Sequence, residues 1–115
     1  MKGHFMVCLL HSVVYFVNYQ LIEVQFATRR VAEKIEGRGL TLDDCIEILE
    51  NFPYEIRSGT DSYGNPKYAA YGQTYDGMNA LVIYVRERSD FYKILSARKK
   101  LSRAEIRLIQ RRRKK

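Results

Sequence analysis

Residues 79–105 read NALVIYVRERSDFYKILSARKKLSRAE, and the fold is decided here. Residues 79–86 are almost continuously apolar, as in a strand covered on both faces. Glu87-Arg88-Ser89-Asp90 turns the chain, and residues 91–97 give a second strand. Ser102-Arg103-Ala104-Glu105 has the S-x-x-E spacing in which a hydroxyl and a carboxylate satisfy free N–H groups at a helix start. That helix is expected to turn Leu101, Ala104, Leu108 and Ile109 to the core.

Upstream, Asp76-Gly77 is a tight-turn pair, residues 67–73 a strand, Gly59 to Pro66 a turn cluster and residues 54–58 another strand. An antiparallel meander is the economical arrangement. Before it, Thr41 and Asp44 can cap a helix whose stripe is Leu42, Cys45, Ile46 and Leu49, ended by Phe52-Pro53. Residues 27–36 form a shorter helix, with Ala27, Val31 and Ile35 every four residues and Gly37 and Gly39 stopping it. Apolar residues at 22, 24 and 26 mark a short strand. The expected class is α+β: two N-terminal helices packed on a small antiparallel sheet, then a basic C-terminal helix, with the helices all against one face.

A chain of 115 residues is one domain's worth. Its charge is uneven. Residues 1–85 hold 7 Lys and Arg against 10 Asp and Glu, net −3; residues 86–115 hold 13 against 3, net +10. That asymmetry calls for a polyanionic partner: nucleic acid, an anionic membrane surface or an acidic protein. Cys8 and Cys45 lack C-x-x-C spacing and read as buried thiols in a reducing, cytoplasmic setting. Residues 5–17, FMVCLLHSVVYFV, resemble a signal-peptide core, but His11 interrupts them and no small-x-small site follows before Glu23. They are expected to be a strand or an extension packed on the core. With no run of 18 apolar residues, no membrane span is expected.

Metal chemistry has little support, since His4 and His11 lack further ligands around them. Neither cysteine has a nucleophile's partners, and no P-loop or dinucleotide fingerprint occurs. The cations of the decisive stretch remain: Arg86, Arg88, Arg98, Lys99 and Arg103. A two-residue period puts Tyr92, Ile94, Ser96 and Arg98 on one face of the last strand, and Phe91, Lys93, Leu95 and Ala97 on the other. An arginine leaving a strand just before a helix can aim a fixed fork of donors at phosphate. The same arginine can instead pair with Glu105 or an acid of the front helices, and spacing does not choose. Residues 111–115 read as a solvated basic tail, and Tyr84 as core; the other tyrosines serve sheet packing more readily than base stacking.

Lys67-Tyr68-Ala69-Ala70-Tyr71-Gly72-Gln73, Asp76-Gly77, Leu81-Val82-Ile83-Tyr84-Val85-Arg86, and Ile94-Leu95-Ser96-Ala97-Arg98-Lys99 followed by Glu105 together resemble the BrnT ribonuclease toxins. These belong to the RelE-like superfamily of type II toxin–antitoxin systems. The likeness spans about residues 21–110 and is most specific at 95–99; residues 1–20 have no counterpart, and 111–115 form the tail. It implies RNA cleavage without metal or other cofactor. It also implies a cognate, BrnA-like antitoxin covering the groove, and a DNA-bound assembly through that antitoxin. In such cleavage the ribose 2′-OH attacks phosphorus, and fixed cations stabilise the phosphorane more than the ground state. The resemblance makes Arg98 the main clamp, with Lys67 and Arg88 at the family's other basic positions and Arg86 an alternative to Arg88. Lys99 and Arg103 would add RNA contacts. Arg38 stands where the family often has His, so Tyr68 or Lys67 would have to handle the proton. Competing readings are a nucleic-acid-binding module without catalysis, and an interaction protein whose tail binds an acidic partner or anionic lipid.

Overall fold

The computed structural model describes residues 7–9, 12–17 and 20–113, with side chains described between 22 and 112. The elements are β1 Val7–Leu9, β2 Ser12–Val17, β3 Gln20–Phe26, α1 Arg29–Gly37, α2 Leu42–Glu50, β4 Tyr54–Thr60, β5 Pro66–Gln73, β6 Asn79–Arg88, β7 Phe91–Arg98 and α3 Arg103–Arg113. The expected meander is present, with β4 to β7 pairing antiparallel in succession. The sheet as a whole is mixed, correcting the antiparallel expectation: β3 lies parallel to β7, from Glu23 opposite Phe91 to Phe26 opposite Ile94. The reason is parity. The two helices carry the chain from β3 across to β4 at the far edge, and a four-strand meander that starts antiparallel to β3 ends parallel to it. Five strands, β3-β7-β6-β5-β4, form the sheet around the core, and β2 and β1 continue it beyond β3. Much of the stretch assigned to an extension, residues 1–20, thus joins the sheet as strands.

The helices occupy both faces, a second correction. Ile35, Leu40, Cys45, Ile46 and Ile48 from the α1–α2 hairpin pack with Ile22, Val24, Ala70, Val82, Tyr84, Ile94 and Ala97. Ala69, Leu81 and Val85 alternate with those sheet residues and are buried as well. α3 touches β5 and β4, and its buried Ile109 stands outside the first cluster, so α3 covers the reverse face. Each fully buried Ile or Val contributes roughly 1.5–3 kcal/mol relative to exposure. Ala104 is exposed, contrary to the expected stripe of α3.

Local chemistry explains the helix ends. The Thr41 hydroxyl accepts from the Asp44 N–H at 3.0 Å, and the Asp44 carboxylate accepts from the Thr41 N–H at 3.0 Å, the reciprocal cap expected. α1 begins on an unforeseen cap, the Thr28 hydroxyl accepting from the Val31 N–H at 3.1 Å. α2 reaches β5 closely because Gly72 has no side chain: a Cβ there would lie 3.0 Å from Ile48 Cγ2 and 3.2 Å from Pro53 Cβ. Cys45 is buried, and burial with the nearby Asp44 charge pushes its thiol up to about 12, leaving it unreactive near neutrality. The Cys8 thiol, His4, His11 and the last three residues of the basic tail lie outside the described side chains. No described helix is long and apolar enough to cross a membrane, which says nothing of strands.

Candidate nucleic-acid interface

A single extra residue in β7 decides where Arg98 points. Ile83 pairs with Ser96, but the next residue of β6, Tyr84, pairs with Ile94, so Leu95 bulges out of the ladder. Beyond the bulge the alternation is inverted. Ala97, opposite Val82, joins Ile94 in the core, and Arg98, opposite Leu81, turns to the reverse face. The simple two-residue period had placed Arg98 with Ile94; the bulge corrects it and keeps the guanidinium out of the core.

On that reverse face Arg98 meets the start of α3. Its Nη2 donates to Glu105 Oε2 at 2.6 Å, and Nη1 donates to Glu105 Oε1 at 3.3 Å and to the Lys100 carbonyl. Glu105 also completes the expected cap, accepting from the Ser102 N–H at 2.8 Å while its own N–H donates to the Ser102 hydroxyl at 3.2 Å. The hydrogen bonds from Arg98 and from Ser102 hold the Glu105 carboxyl down at about 2, so it is a poor proton acceptor at neutral pH. The salt bridge left open by spacing is therefore formed. It does not close off Arg98, whose side chain stays 41% exposed.

Arg98 lines an open cleft of about 650 Å³ with Arg38, Lys99 and Lys100, all four of them cations. Pairing of β3 with β7 stops at Phe26 and Ile94, leaving the Ala97 carbonyl to accept from Arg38 Nη1 at 2.9 Å. Arg38 follows α1, so this bond ties the helical hairpin to the end of β7. Gly39, at φ +84°, makes the turn between the helices, and the Lys99 ammonium lies over it, 2.7 Å from where a Cβ would stand. Four side chains that only donate, brought to one cleft, suit a phosphate. Lys100 was missed in the sequence, where nothing separates it from its neighbours in the Arg-Lys-Lys run.

The other expected site residues lie elsewhere. Arg103 opens α3 and is exposed. Lys67 pairs across Val85 toward Lys93, which bridges Glu87 at 3.1 Å. Arg88 sits at the β6–β7 turn, 3.2 Å from Asp90 and over the Phe91 ring. Tyr68 and Arg86 belong to a layered cluster on the face carrying α1 and α2. The Arg86 guanidinium lies 4.4 Å from the Tyr68 ring centroid and 5.3 Å from that of Tyr92. Tyr68 stacks on Tyr84 at 5.5 Å, and Tyr84 meets Tyr92 at 5.1 Å. Glu55 accepts from the Tyr84 hydroxyl and, at 3.2 Å, from Arg86. Burial and Glu55 push the Tyr84 hydroxyl well above its ordinary range, so it remains a neutral donor. Sequence reading missed Glu55 and Tyr92, which become neighbours of Arg86 only through strand pairing.

The expected residues thus separate along β7. Arg38, Arg98 and Lys99 gather at its end, with Arg103 exposed at the start of α3; Tyr68, Arg86 and Arg88 lie around its start, and Lys67 is on the reverse face from Tyr68. Tyr92 and Arg98 are six residues apart on β7, about 20 Å along a strand. Among the described residues, no three His, Cys, Asp or Glu side chains converge as metal ligands would. Comparison with protein-family models and with curated proteins gives no match.

Proposed function

We propose that this protein binds RNA by seating a backbone phosphate in the Arg38–Arg98–Lys99–Lys100 cleft, and that it is a metal-independent endoribonuclease toxin of the RelE-like, BrnT kind. The observation that carries the proposal is a cleft lined by four cations at the terminus of β7. There, 2′-OH attack on the adjacent phosphorus would break its bond to the 5′-oxygen and give a 2′,3′-cyclic phosphate and a 5′-hydroxyl, the 2′-OH proton passing to solvent and the departing oxygen taking one from it. The cleft's role is to hold the phosphate and to offset the charge that grows on its oxygens. Arg98 is oriented for this by Glu105, and Arg38 by the Ala97 carbonyl. A cognate antitoxin with an acidic contact face would cover the cleft and exclude RNA, and a DNA-bound assembly would form through that antitoxin. The working location is the cytoplasm.

One observation favours a second reading, binding without cleavage. The cleft's lining side chains donate only, and Glu105 is held as a carboxylate too acidic to take the 2′-OH proton. Purified protein incubated with RNA in EDTA separates the two. Under the first reading RNA is cut, and Arg98→Ala slows cutting at least tenfold while remaining folded. Intact RNA that is nonetheless bound, with affinity falling in Arg98→Ala, supports the binding module. Cutting unchanged in Arg98→Ala, or no binding at all, would remove the cleft from the function.

A further inference from the structure

The cluster around Arg86 has a geometry that salt bridging does not explain. Its guanidinium is layered on Tyr68 at 4.4 Å and lies within 5.8 Å of the Tyr84 and Tyr92 ring centroids. Glu55 and the Tyr84 hydroxyl both accept from Nη2 at 3.2 Å, fixing the plane. The Nε atom is buried with no hydrogen-bond partner, an arrangement that costs on the order of 1–3 kcal/mol. A cluster serving only stability gains little by leaving that donor unmet. The Arg86 side chain nevertheless keeps 36% of its surface exposed, although its guanidinium carbon lies 4.4 Å from the Tyr68 ring centroid. A second guanidinium, the exposed Arg57, stands 5.9 Å from the Tyr68 ring and adds a second cation to the cluster. Flat rings, an oriented guanidinium plane and surplus positive charge together form the surface on which an unpaired base stacks and its phosphate is attracted.

We infer that the Tyr68–Arg86–Tyr92 layer is a stacking subsite for an unpaired nucleobase, distinct from the phosphate cleft at the far end of β7. The inference rests on the RNA-binding reading and narrows the substrate to single-stranded RNA. Stacking tolerates any base, so the subsite selects for strandedness more than for sequence.

The test uses a short single-stranded RNA and its abasic counterpart, which keeps the phosphates and lacks the bases. Each is titrated against wild-type protein and the Tyr92→Leu, Arg86→Lys and Arg98→Ala variants. Leucine keeps apolar volume at 92; lysine keeps the charge at 86 and loses the plane. Circular dichroism and melting confirm that each variant is folded, and either of the first two suffices if the other is not. Wild type should bind the RNA about tenfold more tightly than the abasic strand. Tyr92→Leu and Arg86→Lys should abolish that preference, and Arg98→Ala should weaken both ligands by one common factor. Equal wild-type affinities, or a preference that survives in Tyr92→Leu and Arg86→Lys, overturn the subsite while leaving the cleft intact. Failure to bind either strand overturns the cleft and the subsite together.

Discussion

At the scale of the residue, Glu105 joins two roles that the sequence presents separately: it caps α3 and anchors Arg98. The S-x-x-E spacing made the cap legible. The ion pair was legible only as an alternative, because seven residues of separation do not distinguish a carboxylate neighbour from a phosphate ligand. The pair predicts a pH dependence of stability. The folded Glu105 carboxyl titrates at about 2, below its ordinary value of 4.5, so folding favours the charged form. Its contribution is present in full above the unfolded value and is lost as pH falls from there through about 2. The carboxylate is near the surface, which keeps the contribution small. Thermal melts should therefore find Glu105→Gln less stable than wild type at neutral pH, with the gap closing between about pH 4.5 and pH 2. An equal gap at both ends would mean that the lost contact is not ionic.

At the scale of the element, the Leu95 bulge is the feature with the largest consequence. Residues 91–98 contain enough apolar and aromatic residues to be read as a strand, and the strand is there. Nothing in the letters FYKILSAR shows which residue is extra, since register is a property of two strands. The two-residue period therefore assigned Arg98 to the wrong face. Deleting Leu95 removes the unpaired residue and leaves Ile83 opposite Ser96 and Tyr84 opposite Ile94, so Ala97 stays in the core and Arg98 on the reverse face. The expected outcome is a cooperatively unfolding protein that keeps the Arg98–Glu105 pair, so that Glu105→Gln lowers the melting temperature as much with Leu95 deleted as in wild type. A Glu105→Gln effect that vanishes in the deletion would mean that the strand has slipped in register and carried Arg98 away from α3. The same distinction explains the remaining legibility of the fold. Caps, turns and the β4–β7 meander depend on neighbours in sequence and were readable. The β3–β7 parallel pairing, the placement of α3 on the reverse face and the meeting of Arg86 with Glu55 and Tyr92 depend on partners far along the chain.

At the scale of the whole molecule, the charge asymmetry acquires a location. The net −3 of residues 1–85 and the net +10 of residues 86–115 meet at the end of β7, where Arg38 from the acidic portion joins Arg98, Lys99 and Lys100 from the basic one. Such a concentration of cations should draw a polyanion by releasing its counterions, and the release is measurable. For single-stranded RNA, the logarithm of affinity should fall with the logarithm of salt at roughly −0.7 per phosphate contact. The phosphate seated among the four lining cations accounts for about −0.7 of that slope, and each further phosphate met along the basic surface adds as much. Arg98→Ala should make the slope shallower by about 0.7, the signature of one lost phosphate contact. Removing residues 111–115 should slow association at low salt while leaving affinity at high salt little changed, because distant charges act within a screening length of about 10 Å at 0.1 M. A slope near zero in wild type would remove phosphate neutralisation as the source of binding, and an unchanged slope in Arg98→Ala would place the contacts elsewhere on the basic surface.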